Sequence, residues 1–448
     1  MSAIALYGEA NKTIKLASPI ILGELAQMAL GLIDAAMVGA ISYKQLAAVS
    51  LVMSVVNIPL IFGIGMTLSI SQMVSMAHGR YDSQQVSHYF FNGFWLSVIT
   101  ALLIFLGLEW GKNILFHLDQ DPDVAQLAVP FLRITSISMV PMLLFMALKQ
   151  FTDGLEQTRT AMVLSLVALP LNAFLNWLLI FGNWGFPRLE LVGAAWGTLV
   201  TRSLIFLVLL AIIIRDRRFR RYVAVRKNQW KLKWKTMKDL LRIGVPSSLQ
   251  AGMEVSVFAV SGILVGTIGA VEQAAHQIAM NCAAFTFMVS MGLAQGSSIR
   301  VSNTFGRRDW TRIRLIGKSS LLTALVYGMF CCLIFITFRE RLPLLFNDNA
   351  EVVGLAATLL LIASVFQISD ATQAINVGLL RGIKDVKVPT LLVGIAYWVV
   401  GVPSGYLLAF HFGMGATGIW TGLIIGLSLV SISLTFRFLK RTRFPESL

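Results

Sequence analysis

The stretch at residues 16–41, LASPIILGELAQMALGLIDAAMVGAI, decides how the rest of the chain reads. It is an apolar run long enough to cross a bilayer as a helix, yet it carries a carboxylate at Asp34, and a charge held in hydrocarbon is expensive. Pro19 lets such a helix bend, and Gly23, Gly31 and Gly39 let neighbouring helices approach closely. A second carboxylate, Glu24, precedes Asp34 by roughly 15 Å along a helix axis. A carboxylate in such a place either closes hydrogen bonds between helices or receives a mobile positive species.

The whole chain shares this character. Of 448 residues, 56% are hydrophobic and 13% charged, and the mean hydropathy is +0.74, far outside the soluble range. Apolar segments fall at 14–41, 46–76, 88–109, 125–151, 160–182, 191–214, 240–268, 273–299, 315–337, 351–380, 388–411 and 415–437. The expected class is therefore all-α integral membrane, with twelve transmembrane helices and the lipid bilayer as its surroundings. The first apolar run is full length and bears Asp34, so it does not have the layout of a cleaved signal peptide. Cys282, Cys331 and Cys332 all lie in apolar segments, which argues against a disulfide framework or a zinc site. With five His and no nucleophile elbow, phosphate loop or metal-spaced His and Asp, the chain reads as a non-enzyme without a resident cofactor.

A net charge of +15 raises the question of nucleic acid, but topology accounts for the placement of the basic residues. Residues 215–242 hold twelve Lys and Arg, including RDRRFRR (215–221) and KLKWK (231–235), and residues 300–318 hold six. Arg437, Lys440, Arg441 and Arg443 follow the last apolar segment. The positive-inside rule puts these segments, and both termini, in the cytoplasm, where attraction to the membrane surface explains the basic linker. No nucleic-acid partner is expected. The loops assigned to the outside carry acids instead, Asp119, Asp121 and Asp123 in one and Asp348 and Glu351 in another. An acidic outer mouth would favour cations near the opening.

The sequence repeats with an offset of 227 residues. ASP (17–19), Gly39, Ala-Ala (47–48), Gly65 and GRYD (79–82) match GVP (244–246), Gly266, Ala-Ala (274–275), Gly292 and GRRD (306–309). Gly154 in DGLEQTRTAM then faces Gly382 in RGIKDVKVP, and VGAAWGT (192–198) faces TGIWTGL (417–423). Each half contains six spans, so the two repeats enter the membrane in the same sense and are expected to enclose a central cleft that rocks open to either side. The expected parts are an N-terminal lobe at 1–214, a basic cytoplasmic linker at 215–240 and a C-terminal lobe at 241–448.

The frames agree between the halves, but the charges do not. Asp34 corresponds to Ser261, and Glu254 corresponds to Gln27. In the first half PLNAFLN (170–176) puts Asn172 and Asn176 on one face of a helix. With Asp34 and a hydroxyl such as Thr198, they form an oxygen-rich set suited to a monovalent metal cation or a shared proton; such asparagines also serve simply to hold helices together. In the second half Glu254 and Asp370 fall near the membrane midplane, where two carboxylates facing one cavity cannot both stay ionised without a cation or proton between them. Gln277, Asn281, Gln367, Gln373 and Asn376 add polar atoms nearby in sequence. The segment FTFMVSM (285–291), with Phe287, supplies Met and aromatic surface suited to flat hydrophobic cations. Gln277, Asn281, Phe287 and Phe366 are the candidate lining residues. Arg133 and Arg202 near helix ends, and Lys149 beside Asp153, read as snorkelling anchors, and His276 as a helix-packing hydrogen bond in preference to a proton relay.

Taken as a set, Asp34 in the first span, PLNAFLN in the fifth, Glu254 in the seventh, Asp370 in the tenth and GLLRGIKDVKVP (378–389) before the eleventh make the chain resemble the multidrug and toxic compound extrusion (MATE) family, in particular its bacterial NorM-like branch. The resemblance spans essentially the whole chain. It implies an antiporter in a bacterial inner membrane, exporting small organic cations in exchange for inward Na+ or H+, with a monomer as the expected form. It also implies that Asp34, Asn172, Asn176 and Thr198 form a first-lobe cation site, and that Glu254 and Asp370 are the second-lobe acids. Some relatives place a tyrosine beside the tenth-helix acid where this chain has Phe366, and Glu24 has no assignable counterpart. A flippase of lipid-linked or amphipathic substrates is the alternative that shares the architecture; it would need a cationic cleft, whereas the central charges here are mainly acidic.

Overall fold

The structure, a computed structural model, describes residues 3–117, 122–223 and 230–443. Among these residues it is helical, without strands, and twelve helices are long and apolar enough to cross a membrane. The spans are α1 (Ala3–Gly39), α2 (Tyr43–Gly79), α3 (Ser83–Trp110), α4 (Pro122–Gly154), α5 (Thr158–Phe181) and α6 (Glu190–Arg215), followed by a short α7 (Arg217–Val223). The second set is α8 (Trp234–Gly266), α9 (Ala270–Gly306), α10 (Trp310–Phe338) and α11 (Ala350–Gly382). Next comes a span built from α12 (Lys387–Gly394), π-helical turns at Ile395–Gly401, α13 (Val402–Tyr406) and π-helical turns at Leu407–His411, and α14 (Ala416–Arg443) closes the chain. Most helices run beyond the apolar segments that announce them. Hydropathy marks only the lipid-facing length, while backbone hydrogen bonding carries the helix on into polar residues.

The duplicated motifs have a visible local purpose. In GRYD and GRRD the third residues, Tyr81 and Arg308, adopt the left-handed conformation at φ 60° and 61°. The aspartates that follow cap the next helix: Asp82 accepts from Gln85 N and Asp309 from Arg312 N, both at 2.9 Å. Glu156 and Lys384, two residues past the matched Gly154 and Gly382, repeat that left-handed geometry at φ 62° and 63°. Four helix-to-helix turns thus share a left-handed residue, and two of them add the aspartate cap. The resemblance motif GLLRGIKDVKVP also carries a structural contact, because Asp385 accepts from Arg437 Nε and Nη2 at 2.7 and 2.9 Å and so ties the turn after α11 to α14.

By contacts the chain divides into two units, one formed by Leu22–Ser248 and the other by Met1–Ile21 with Leu249–Leu448. Each division falls two residues beyond a helix proline, Pro19 in α1 and Pro246 in α8. Within the first unit a β-carbon on Gly65 would meet Ser248 Cα at 2.6 Å, and within the second a β-carbon on Gly292 would meet Ile21 Cα at 3.0 Å. These two pairs are related by the sequence offset of 227, so the repeat is reproduced in packing as well as in motif.

The described residues of the basic linker pack on the first unit. Phe219 and Tyr222 of α7 are buried against Phe151 of α4, Trp230 stacks on Phe91 of α3 at 4.5 Å, and Asn92 accepts from Lys233 N at 2.8 Å. Tyr89 donates to Asp239 at 3.2 Å. At the α6 to α7 junction, hydrogen bonds from Arg218 hold the Asp216 carboxyl below the usual carboxylate range. Linker residues 224–229 and the loop acids Asp119 and Asp121 lie outside the described residues. Asp123, the third acid of that loop, pairs with Lys44 at 2.8 Å.

Candidate functional site

In the first unit the four residues singled out by sequence meet. Asn176 Nδ2 donates to Asp34 Oδ1 at 2.6 Å, and Thr198 Oγ1 donates to Asp34 Oδ2 at 3.0 Å. The ring closes through Asn176 Nδ2 to Asn172 Oδ1 at 3.2 Å and Asn172 Nδ2 to Thr198 Oγ1 at 3.4 Å. Three helices supply it: α1 the carboxylate, α5 the two amides one turn apart after Pro170, and α6 the hydroxyl. Both asparagines are fully buried, and Asn176 Oδ1 has no hydrogen-bond partner. The ring therefore sets the Asp34 carboxyl near an unused amide oxygen, which together are oxygen ligands suited to a monovalent cation. Among the described residues, no group of three or more His, Cys, Asp or Glu is placed to hold a metal ion, so these amide and hydroxyl oxygens would have to complete the set around the one carboxylate.

Two contributors were not evident from sequence. Gly197, one residue before Thr198, leaves the space that the Asn176 side chain fills, since a β-carbon there would collide with Asn176 Oδ1. Arg202, one turn after Thr198, donates from Nη1 to Ser138 Oγ at 2.7 Å and lies within electrostatic reach of Asp34. This corrects the reading of Arg202 as a snorkelling anchor: an internal acid and hydroxyl bind it more favourably than a path to the interface. Lys149 is corrected in the same way, being buried and donating to Glu24 Oε1 at 2.6 Å. Arg133 is exposed, as an anchor should be, with Glu109 at 3.9 Å.

In the second unit Glu254 of α8 accepts at Oε1 from Gln250 Nε2 at 3.0 Å and from Gln373 Nε2 of α11 at 2.7 Å. Asp370 of α11 is buried within electrostatic reach of Glu254, and Arg381, further along α11, reaches Glu254 as well. The acids expected to share a site thus feel each other, with a guanidinium close by. Phenols come from other helices: buried Tyr397 lies 6.5 Å from the Phe258 ring of α8, and Tyr327 of α10 donates to Thr286 O at 2.9 Å, beside the Thr286 hydroxyl that bonds Gln367.

The expected lining residues fare unevenly. Phe366 is a core residue, edge-on to Phe258 and Trp420 at 6.1 and 5.9 Å, because its position on α11 faces the aromatic packing of α8 and α14. Phe287 is partly buried against that core. Gln277 and Asn281 are exposed on α9 and bond each other at 3.2 Å. Gln367 accepts from Thr286 at 2.8 Å and Asn376 donates to Thr435 at 2.7 Å, so of these amides only Gln373 serves Glu254. His276 accepts from Trp420 Nε1 at 3.1 Å, a helix-packing bond as expected.

Comparison with known proteins places this arrangement. The family profile described as MatE matches residues 19–178 and 246–407, one segment in each repeat. A protein of Mesorhizobium japonicum named "Probable multidrug resistance protein NorM" is 34% identical over 447 residues, covering 98% of this chain and 96% of that one. A protein of the same name from Rhizobium meliloti is 35% identical over 436 residues, covering 96% and 93%. Among solved structures, the eukaryotic MATE transporter AtDTX14 shares the fold with a TM-score of 0.89 at 20% identity over 98% of both chains. An outward-facing multidrug resistance MATE family transporter gives 0.89 at 18% identity over 97% and 96%. With both repeats matched and near-complete relatives above 30% identity, the chain belongs to the MatE family of transporters.

Proposed function

We propose that this protein is a cation-coupled antiporter that exports small organic cations and toxic compounds by alternating access, driven by inward Na+ or H+. The observation that carries the reading is the Asp34 ring, in which one carboxylate, two amides and a hydroxyl converge inside a membrane helix bundle and leave a buried amide oxygen unpartnered. The second unit supports it with Asp370, buried one turn before Gln373 on α11, the residue that donates to Glu254 at 2.7 Å. Cation and cargo are linked through these carboxylates: whichever positive species occupies them biases the transporter toward the state it binds better. Asp34, Asn172, Asn176 and Thr198 would hold the coupling ion, and Glu254 and Asp370 the organic cation or a proton. The names of the Mesorhizobium and Rhizobium relatives agree with a drug-efflux role. The proposed setting is the bacterial inner membrane, as a monomer in the lipid bilayer with both termini cytoplasmic, consistent with the basic segments at 215–242 and 437–443.

The test is transport of a lipophilic cation in proteoliposomes with sodium and proton gradients imposed independently. Uptake or efflux driven by one gradient, and lost in Asp34→Asn or Asp370→Asn, is the expected result. Transport indifferent to both gradients, or intact coupling in both variants, overturns the proposal. The flippase alternative is tested by head-group translocation in the same vesicles.

A further inference from the structure

Glu24, Lys149 and Asp153 form a second buried charge cluster in the first unit, and the ring around Asp34 does not use it. Lys149 Nζ donates to Glu24 Oε1 at 2.6 Å, and both Lys149 and Asp153 are almost wholly buried. Asp153 sits one turn beyond Lys149 on the same face of α4, with Lys149 and, through it, Glu24 as its charged neighbours. Neither of its carboxyl oxygens has a hydrogen-bond partner. Ser165 of α5 closes the cluster: a β-carbon on Gly23 would lie 3.9 Å from both Lys149 Cε and Ser165 Oγ, and that hydroxyl is buried without a partner too.

The charges do not balance. Two carboxylates share one ammonium, and that ammonium is in contact with Glu24, so an ionised Asp153 would be a buried anion without a hydrogen bond, one of the most costly arrangements a protein interior offers. A metal cation is a poor remedy, since it would sit beside the ammonium and find no amide oxygen among these side chains. A proton needs neither room nor a donor set. We propose that the Glu24–Lys149–Asp153 cluster is a proton-binding site distinct from the Asp34 ring, with the exchangeable proton on Asp153. When Asp153 releases its proton, the carboxylate left behind recruits the Lys149 ammonium from Glu24, a transfer of one partner between two acids on a single lysine. The ammonium keeps its protons throughout, so one hydrogen ion leaves and one negative charge appears. Glu24 is the third residue of α1 inside this unit, so the exchange of partner acts where α1 enters it. The site does not depend on the antiport reading, because a sodium-driven transporter would still carry this proton.

The experiment is infrared difference spectroscopy of the protonated-carboxyl stretch in the purified full-length protein at neutral pH. A background carrying Asp34→Asn, Glu254→Gln and Asp370→Asn removes the acid of the Asp34 ring and the two acids of the second unit from the signal. Asp153→Asn is expected to abolish the remaining band and Asp153→Glu to restore it. Lys149→Met, which leaves two carboxylates to share a proton, should strengthen the band, while Glu24→Gln, which frees the ammonium for Asp153, should weaken it. A role confined to packing would not move the two in opposite directions. The proposal is overturned if the band survives Asp153→Asn, if Lys149→Met and Glu24→Gln shift it in the same direction, or if added sodium removes it. Loss of drug transport in the background variant bears on the antiport reading and leaves this assignment readable.

Discussion

The amide of Asn176 fills the space that a side chain at Gly197 would need, which makes a glycine on α6 a condition for the hydrogen bond to Asp34 on α1. Gly197→Ala is therefore expected to push Asn176 out of the ring, at about 1–3 kcal/mol of stability. Coupled transport should fall with it. Thermal unfolding in detergent, alongside transport by the same preparation, checks both effects; an unchanged melting point with full transport would contradict the packing.

Thr198 supplies the hydroxyl donor to Asp34 Oδ2 at 3.0 Å. Thr198→Val keeps the shape but removes the hydrogen bond to the Asp34 carboxyl, so gradient-driven transport should slow about tenfold, the equivalent of about 1.4 kcal/mol. Thr198→Ser should restore most of it. Initial rates in proteoliposomes measure the pair of variants.

Gln250 and Gln373 both donate to Glu254 Oε1. Removing either amide leaves the carboxylate with one donor, and Gln373→Leu should weaken binding of a fluorescent organic cation by about five- to thirtyfold, corresponding to about 1–2 kcal/mol. The double variant Gln250→Leu, Gln373→Leu should be worse than the sum of the single changes, because the second loss strips the acid bare. Additive binding losses would show that the two amides act independently.

Arg300 of α9 is buried against the start of α1, donating from Nη1 to Glu9 O at 2.7 Å and from Nη2 to the Glu9 carboxylate. Arg300→Met leaves Glu9 with Lys12 at 3.1 Å and Arg312 at 3.8 Å, and should destabilise by about 1–3 kcal/mol. Glu9→Gln combined with Arg300→Met should recover part of the loss. Thermal unfolding of the two single variants and the double variant settles the sign of the coupling.

Asp82 and Asp309 occupy equivalent cap positions on α3 and α10. Replacing either by Ala should cost about 0.5–2 kcal/mol, by similar amounts in the two repeats. A large cost at one site and none at the other would show that the repeated geometry does not carry equal weight.

Much of this was legible in the sequence because it is periodic. The spacing of Asn172 and Asn176 puts both amides on one face, and the cost of burying Asp34 demands polar company, so their meeting could be anticipated. The offset of 227 matched GRYD to GRRD, and the structure gives both motifs the same left-handed third residue, Tyr81 and Arg308. What remained hidden depends on contacts across helices, which periodicity does not encode. Arg202 and Lys149 sit near helix ends and read as anchors until Ser138 and Glu24 appear opposite them. Phe366 was a candidate lining residue standing where some relatives place a tyrosine, yet its face of α11 belongs to the core. Gly197 was visible as part of a repeated motif, but its purpose is the volume it leaves empty.

The division of the chain at 21/22 and 248/249 bears on any attempt to produce the repeats separately. A polypeptide ending at the basic linker would offer Gly65 with no Ser248 to close over it, and one starting there would offer Gly292 without Ile21. Each half would leave the ribosome with a gap shaped for a few turns of the other. Co-expression of the two pieces should rescue folding where either alone aggregates.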